Sequence, residues 1–291
     1  MKDSVVVKIS EGLGNQLFMF ANAYAFSKKY NRNLLIDNTS GYFRKKNRLR
    51  GHEYLLNCFN INNDFAPNNF KFDTNLKHLK KKFLIGIDRF KKNKSFLNEQ
   101  EMANHNSQNI INFDNILFSN RVFLDGNFEN QSYFKHYKED LIHLFSVKKN
   151  FIKNDIKLID QIQNSNSVSI HVRQNRFSDQ NIIKNKKLNI KKSSDFTEQT
   201  LSYIDRSIKF FNSNFDNITF FVWSNDFNNL EKFFSKYDSN FVFIKNNDAV
   251  TDFNLFKYSK HFIVGPSTYH WWGSWLNNNK GKVSIRPRDM N

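Results

Sequence analysis

A chain of 291 residues is long enough for two modest domains or one large one, and 39% hydrophobic content supports a sizeable core. Lys and Arg number 44 against 27 Asp and Glu, a formal net charge of +17 that favours anionic partners: nucleic acid, anionic membrane or phosphorylated substrates. The single cysteine, Cys58, excludes an internal disulfide or a cysteine-built metal site and fits a reducing compartment.

The first elements read as a βαβ unit. Val5 to Ile9 is a β-branched run, "EGLGNQ" a glycine loop, "LFMFANAYAFSKKY" a helix apolar on most faces, and "NLLID" a second strand. The stretch "NLKHLKKKFLIGIDRFKKNKSF" reads as a partly helical basic face, with Lys77, Lys80, Lys81, Lys82, Arg89, Lys91, Lys92 and Lys94. "RVFLDGNF" follows as a strand, and Asn130 to Phe145 as a helical stretch.

From Ser167 the alternation is regular. "SVSIHV", "ITFFVW", "FVFIK", "FIVG" and "KVSIRP" read as strands, separated by helices in "FTEQTLSYIDRSIKFF" (Asp195 as N-cap), "FNNLEKFFSKY", "DFNLFKYSKH" and "YHWWGSWLNN". "IIKNKKLNIKKSSDF" reads as a basic loop. Strands alternating with helices predict α/β architecture with parallel, doubly wound sheets. Two Rossmann-like halves would join near residues 145–167, giving domains 1–160 and 161–291.

Ligands in such sheets bind beyond the carboxyl ends of the strands. Those ends hold Gly12 and Gly14, then His171 and Arg173, then Ser224 and Asp226, then Pro266, Ser267 and Thr268. A diphosphate needs close backbone N–H groups, a helix N-terminus and a forked cation. The glycines, Ser267, Thr268 and Arg173 supply these, while Asp226 suits a guanine edge or a ribose. Taken singly, each residue also fits a plainer role: a tight turn, a strand-end histidine, a surface ion pair or a helix cap. Their common location favours the ligand. Leu17 stands where a dinucleotide fingerprint needs its third glycine, and no Gly-Lys-Ser/Thr follows the loop, which argues against nicotinamide and P-loop sites. No Asp-x-Asp occurs, so no metal site is expected.

"GLGNQLFMFANAYA", "LDGNFENQSYF" and "DFNLFKYSKHFIVGPSTYHWWGSWLN", in this order from Val5 to about Pro287, resemble the bacterial α-1,2-fucosyltransferases of glycosyltransferase family 11. The resemblance implies a GT-B-like enzyme with two Rossmann-like domains facing a cleft, an N-terminal acceptor-side domain and a C-terminal GDP-sugar-binding one. It implies inverting transfer of L-fucose from GDP-fucose to the 2-hydroxyl of a galactoside acceptor, free or lipid-linked, without cofactor or metal. By that likeness Arg173 holds the β-phosphate, His171 lies by the nucleoside and Asp226 in "WSND" reads guanine. Gly12 and Gly14 line the donor phosphates, Asn15 faces the reacting centre, and Ser267 and Thr268 contact the diphosphate. Trp271, Trp272 and Trp275 can platform a sugar, but their spacing on a short helix favours core packing.

The chain departs from the family at "HVRQNR". Where the relatives carry His-x-Arg-Arg-x-Asp, Gln174 replaces the second arginine and Arg176 the aspartate. Arg176 could restore the cation and Asp179 the acid, or the donor could be another nucleotide sugar. Asp179, then Glu11, then His171 are the candidate bases.

A non-catalytic binder of nucleic acid or anionic membrane is the reading from a different class, motivated by the charge. The dispersed cations match no zinc-finger or RNP pattern, so nucleic acid is not an expected partner. "MKDSVVVKIS" has no signal-peptide h-region and no run nears the roughly 18 apolar residues of a spanning helix. The expected location is cytoplasmic, with peripheral contact at the inner face of the membrane.

Overall fold

The computed structural model describes residues 2–43, 52–102, 110–152, 156–177 and 186–287. The chain divides into two compact units, Met1–Ser146 and Val147–Asn291.

The first unit runs β1 (Ser4–Lys8), α1 (Leu13–Lys29), β2 (Asn33–Asp37), α2 (Asn75–Asp88), β3 (Lys94–Asn98), a helical turn at Glu99–Met102, β4 (Phe118–Asp125) and α3 (Lys138–Leu144). Its four strands are parallel in the order β2-β1-β4-β3. Val5, Val6 and Val7 are all buried because β1 is an inner strand covered on both faces. The helix α1 is buried nearly all round, with Leu17, Phe20, Ala21 and Ala23 wholly inaccessible, which is why its sequence shows no polar stripe.

The second unit runs α4 (Ile156–Asn164), β5 (Asn166–Val172), α5 (Lys186–Asn214), β6 (Ile218–Ser224), α6 (Leu230–Phe234), β7 (Asn240–Ile244), α7 (Ala249–Phe256), β8 (His261–Ile263), α8 (Thr268–Leu276) and β9 (Ser284–Ile285). Its five strands are parallel in the order β7-β6-β5-β8-β9. Alternate side chains build two cores. Phe220 and Val222 pack with Ile204, Ile208 and Phe211 of α5, while Phe221 and Trp223 pack with Ile162 of α4 and Leu255 and Phe256 of α7.

Four expectations are corrected. The boundary falls at Ser146/Val147 rather than at 160/161, which would cut α4, whose Ile162 is in the second core. The segment read as a joining stretch therefore contains a helix. Asp195 is no N-cap: α5 already runs from Lys186 through it to Asn214. In the basic stretch, "KSFLN" is the edge strand β3, and between Asn130 and Phe145 only Lys138–Leu144 is α-helical, preceded by two 3₁₀ turns.

Candidate active site

In the second unit β5 lies between β6 and β8, and the register pairs Val172 with Ser224 and Ile170 with Ile263. The three carboxyl ends therefore coincide, and the loops that leave them carry Arg173, Ser224 to Asp226, and Gly265 to Thr268. A Cβ at Gly265 would sit 2.3 Å from the His171 carbonyl oxygen, so only glycine lets the β8 loop lie against the end of β5. This loop is strapped from below. The Gly265 N–H donates to His270 Nδ1 at 3.4 Å, which leaves the proton on Nε2 to donate to Ser169 Oγ at 2.8 Å. The loop then turns into α8, with Ser267 as its N-cap residue and Thr268 its first residue, so the first N–H groups of α8 sit at this edge.

The loop after β5 is tied to the loop after β6. The Gln174 N–H donates to Asn225 Oδ1 at 2.8 Å, and the Asn225 amide donates back to the Gln174 carbonyl at 3.1 Å. Gln174 Nε2 donates to the carbonyls of Asp226 at 2.6 Å and Asn228 at 3.2 Å. The Asp226 carboxylate accepts from the Asn228 N–H and the Asn175 amide, each at 2.9 Å. Asp226 thus organises its own loop with both oxygens and keeps only its remaining lone pairs for a ligand.

Arg176 joins the other loop. Its guanidinium donates to the Pro266 carbonyl at 3.4 Å and lies 4.8 Å from the centre of the Phe196 ring. The structure thereby brings His171, Arg173, Arg176, Asp226, Ser267 and Thr268 to one sheet edge. Asp179 lies outside the described residues.

Two histidines lie beneath this edge. Their rings are 5.5 Å apart, and both are buried. Burial, with Arg173 nearby, pushes His171 down to about 3, and burial beside His171 holds His270 well below the usual imidazole range. His171 is therefore neutral at neutral pH and a feeble proton acceptor, which weighs against it as the base. Burial also pushes Asp252, inside α7, up to about 6, against the hydrogen bond it accepts from the Asn247 amide at 3.0 Å.

The first unit holds the remaining candidates. The turn after β1 takes its left-handed conformation at Glu11 (φ 64°), not at a glycine. Gly12 has φ −79°, and a Cβ there would meet only the His52 ring at 3.7 Å. Neither crowding nor φ demands glycine at 12, while Gly14 is buried inside α1. The Asn15 amide donates to the Glu11 carboxylate, joining two of the proposed catalytic residues. Gln16, fully buried, holds the turn: its amide donates to the carbonyls of Glu11 at 2.9 Å and Glu53 at 2.7 Å, and accepts the Leu55 N–H at 2.9 Å.

Gln16, His270 and Asp252 are absent from the sequence-based candidates. Gln16 has a usable signal, an amide buried in the first turn of a largely apolar helix. His270 is masked by the aromatic run around it, and Asp252 reads as a helix start until Asp248 is seen to cap α7 through the N–H groups of Val250 and Thr251. Trp272 is wholly buried, as the core reading expects, whereas Trp271 and Trp275 are half-buried and stack on each other at 5.8 Å. Among the described residues no three His, Cys, Asp or Glu side chains cluster as a metal site requires.

Two Rossmann-like parallel sheets, with polar and cationic residues gathered at the strand ends of the second, place the chain in the GT-B fold class. The chain belongs to glycosyl transferase family 11, whose profile matches residues 4–289. It is 31% identical to an α-1,2-colitosyltransferase of Escherichia coli, over 97% of this chain and 91% of that one. It is 23% identical to the O-antigen biosynthesis glycosyltransferase WbnK of Escherichia coli, over 96% and 92%. The crystal structure of the fucosyltransferase NodZ from Bradyrhizobium has the same fold, with a TM-score of 0.54, 11% identity, and coverage of 95% and 92%.

Proposed function

We propose that this protein transfers L-fucose from GDP-fucose to the 2-hydroxyl of a galactoside during assembly of a surface glycan of O-antigen or capsule type, with inversion and without a metal or other cofactor. The observation that carries the reading is the convergence of Arg173, Arg176, Asp226, Ser267 and Thr268 on one edge of the second sheet. The glycan context rests on the WbnK relative.

The second unit then binds the GDP-sugar and the first the acceptor. Arg173 and the start of α8 take the charge that develops on the departing diphosphate, and Asp226 faces the base. The acceptor oxygen attacks the anomeric carbon, the bond to the diphosphate breaks, and the hydroxyl proton passes to a carboxylate. Asp179 is the first candidate for that carboxylate and Glu11, oriented by Asn15, the second.

A second reading keeps the chemistry and changes the sugar. The colitosyltransferase relative points to colitose, the 3-deoxy form of L-fucose, as the donated sugar. Incubation with GDP-fucose or GDP-colitose, galactosides and EDTA separates the two, with the linkage read by NMR. Transfer of fucose supports the first reading and transfer of colitose alone the second. Absence of GDP release from both across a broad acceptor panel overturns both.

A further inference from the structure

The helix α2 is amphipathic in the wrong sense for a helix that covers a sheet. It buries Lys81 and Asp88. Lys81 pairs with Asp125 at 2.5 Å, and the Asp88 carboxylate accepts the N–H groups of Ser95 and Phe96 at 3.0 Å. Leu84 and Ile85 are half-buried beside them, but four of its apolar residues point outward, Leu76 77% exposed, Leu79 65%, Phe83 68% and Ile87 39%, with Phe90 just beyond the helix 93%. At 3.6 residues per turn these five positions fall within an arc of about 80°, forming one stripe roughly 20 Å long. Soluble surfaces carry scattered apolar side chains but rarely a continuous stripe of this kind.

Cations flank the stripe. Lys77 pairs with Asp73, Arg89 with Glu101, and Lys94 with backbone carbonyls. Among the described residues, Lys80, Lys82, Lys91 and Lys92 have no carboxylate partner and are exposed. An apolar stripe bordered by unneutralised lysines is the pattern of a helix lying in the plane of an anionic bilayer, with rings among the acyl chains and ammonium groups at the phosphates. A second copy of the same face would bring two sets of lysines together, which disfavours a dimer.

We propose that α2, from Leu76 to Phe90 with Lys91 and Lys92, is a docking surface for an anionic lipid bilayer. No described helix is long and apolar enough to cross a membrane, so this contact is peripheral. It stands independently of the donor and acceptor assigned above.

Vesicle flotation of the full chain tests it, using phosphatidylcholine vesicles with and without about 30 mol% phosphatidylglycerol. Wild type is expected to bind the anionic vesicles at least about tenfold better. Phe83→Ser with Phe90→Ser, which leaves the charge unchanged, is expected to lower that binding about tenfold while the melting temperature is kept. Converting Lys80, Lys82, Lys91 and Lys92 to Gln is expected to weaken binding and flatten its salt dependence. Phe90→Trp, with the surface still apolar, adds an independent readout: a blue shift of its emission, beyond any shown by wild type, when anionic vesicles are added. Wild-type binding by the double-Ser variant, or no added blue shift in the Phe90→Trp variant, overturns the proposal. So does a concentration-dependent dimer that the Phe substitutions break while vesicle binding is absent.

Discussion

Gln174 Nε2 lies 2.6 Å from the carbonyl oxygen of Asp226, so the side chain standing where the family resemblance leads one to expect a second arginine is turned toward the β6 loop. An arginine at this position would aim at the carbonyls of Asp226 and Asn228. Gln174→Arg is therefore expected to leave donor turnover no higher than wild type. Gln174→Ala, which removes both bonds, is expected to cost about 1–2 kcal/mol of stability and to raise the donor KM several-fold. Urea unfolding and donor-saturation kinetics check both; a clear gain in turnover for the arginine variant would contradict the arrangement.

Arg173 immediately follows β5 at the point where the three strand ends meet. Arg173→Ala is expected to lower kcat/KM for the donor by about 10²- to 10³-fold with an unchanged melting temperature. Arg173→Lys is expected to recover only part of that, because an ammonium cannot fork across two phosphate oxygens. Near wild-type turnover in the alanine variant would remove Arg173 from the diphosphate.

Glu11 combines a left-handed backbone with a side chain held by Asn15, and two substitutions separate these features. Glu11→Gly relieves φ 64° and is expected to gain up to about 1 kcal/mol of stability. Glu11→Gln keeps the strain and the shape but removes the charge. If Glu11 takes the acceptor proton, both variants lose most of their turnover while the donor KM is kept. Wild-type turnover in the glutamine variant leaves Asp179 as the base.

Asp252 is pushed up to about 6 by burial. A carboxyl raised above its unfolded value adds stability below the unfolded pKa of 3.8, and that contribution is lost as pH rises through 6. Asp252→Asn is therefore expected to gain on wild type between about pH 4 and pH 8, by on the order of 2 kcal/mol. His270 works in the opposite sense. Its imidazole is held below the unfolded value, so its contribution is present above pH 6.5 and fades on acidification. His270→Gln is expected to flatten the acid limb of the stability curve. Urea midpoints across the pH range measure both slopes.

Much of this arrangement is legible in the residues. Val5 to Val7 and "NLLID" announce themselves because buried parallel strands are nearly all apolar, and the strand ends then locate His171, Arg173, Asp226 and Ser267. The failures have physical causes. The segment from Lys186 to Asp195 is rich in Lys, Asn and Ser, which suit loops as well as exposed helix, so the start of α5 is hidden. The helix α4 is short, with Gln and Asn toward its end. The glycines after β1 suggest that one of them makes the turn, yet a network around Gln16 places the unusual φ on Glu11. The face of α2 escapes assignment, because its burial depends on Asp125 and on the Ser95 and Phe96 amides, which are distant in sequence or belong to an edge strand.

The pairing of β1 with β4 governs when the first sheet can close. Ser4 meets Arg121 across more than a hundred intervening residues, and β1 is an inner strand. On a translating ribosome β1 keeps one side unpaired until β4, which ends at Asp125, has emerged. The early chain therefore exposes the unpaired side of "SVVVK" for several seconds at ordinary elongation rates of about 5–20 residues per second. That interval makes the N-terminal strand the place where a slowed ribosome, or a missing chaperone, is expected to reduce the yield of active protein.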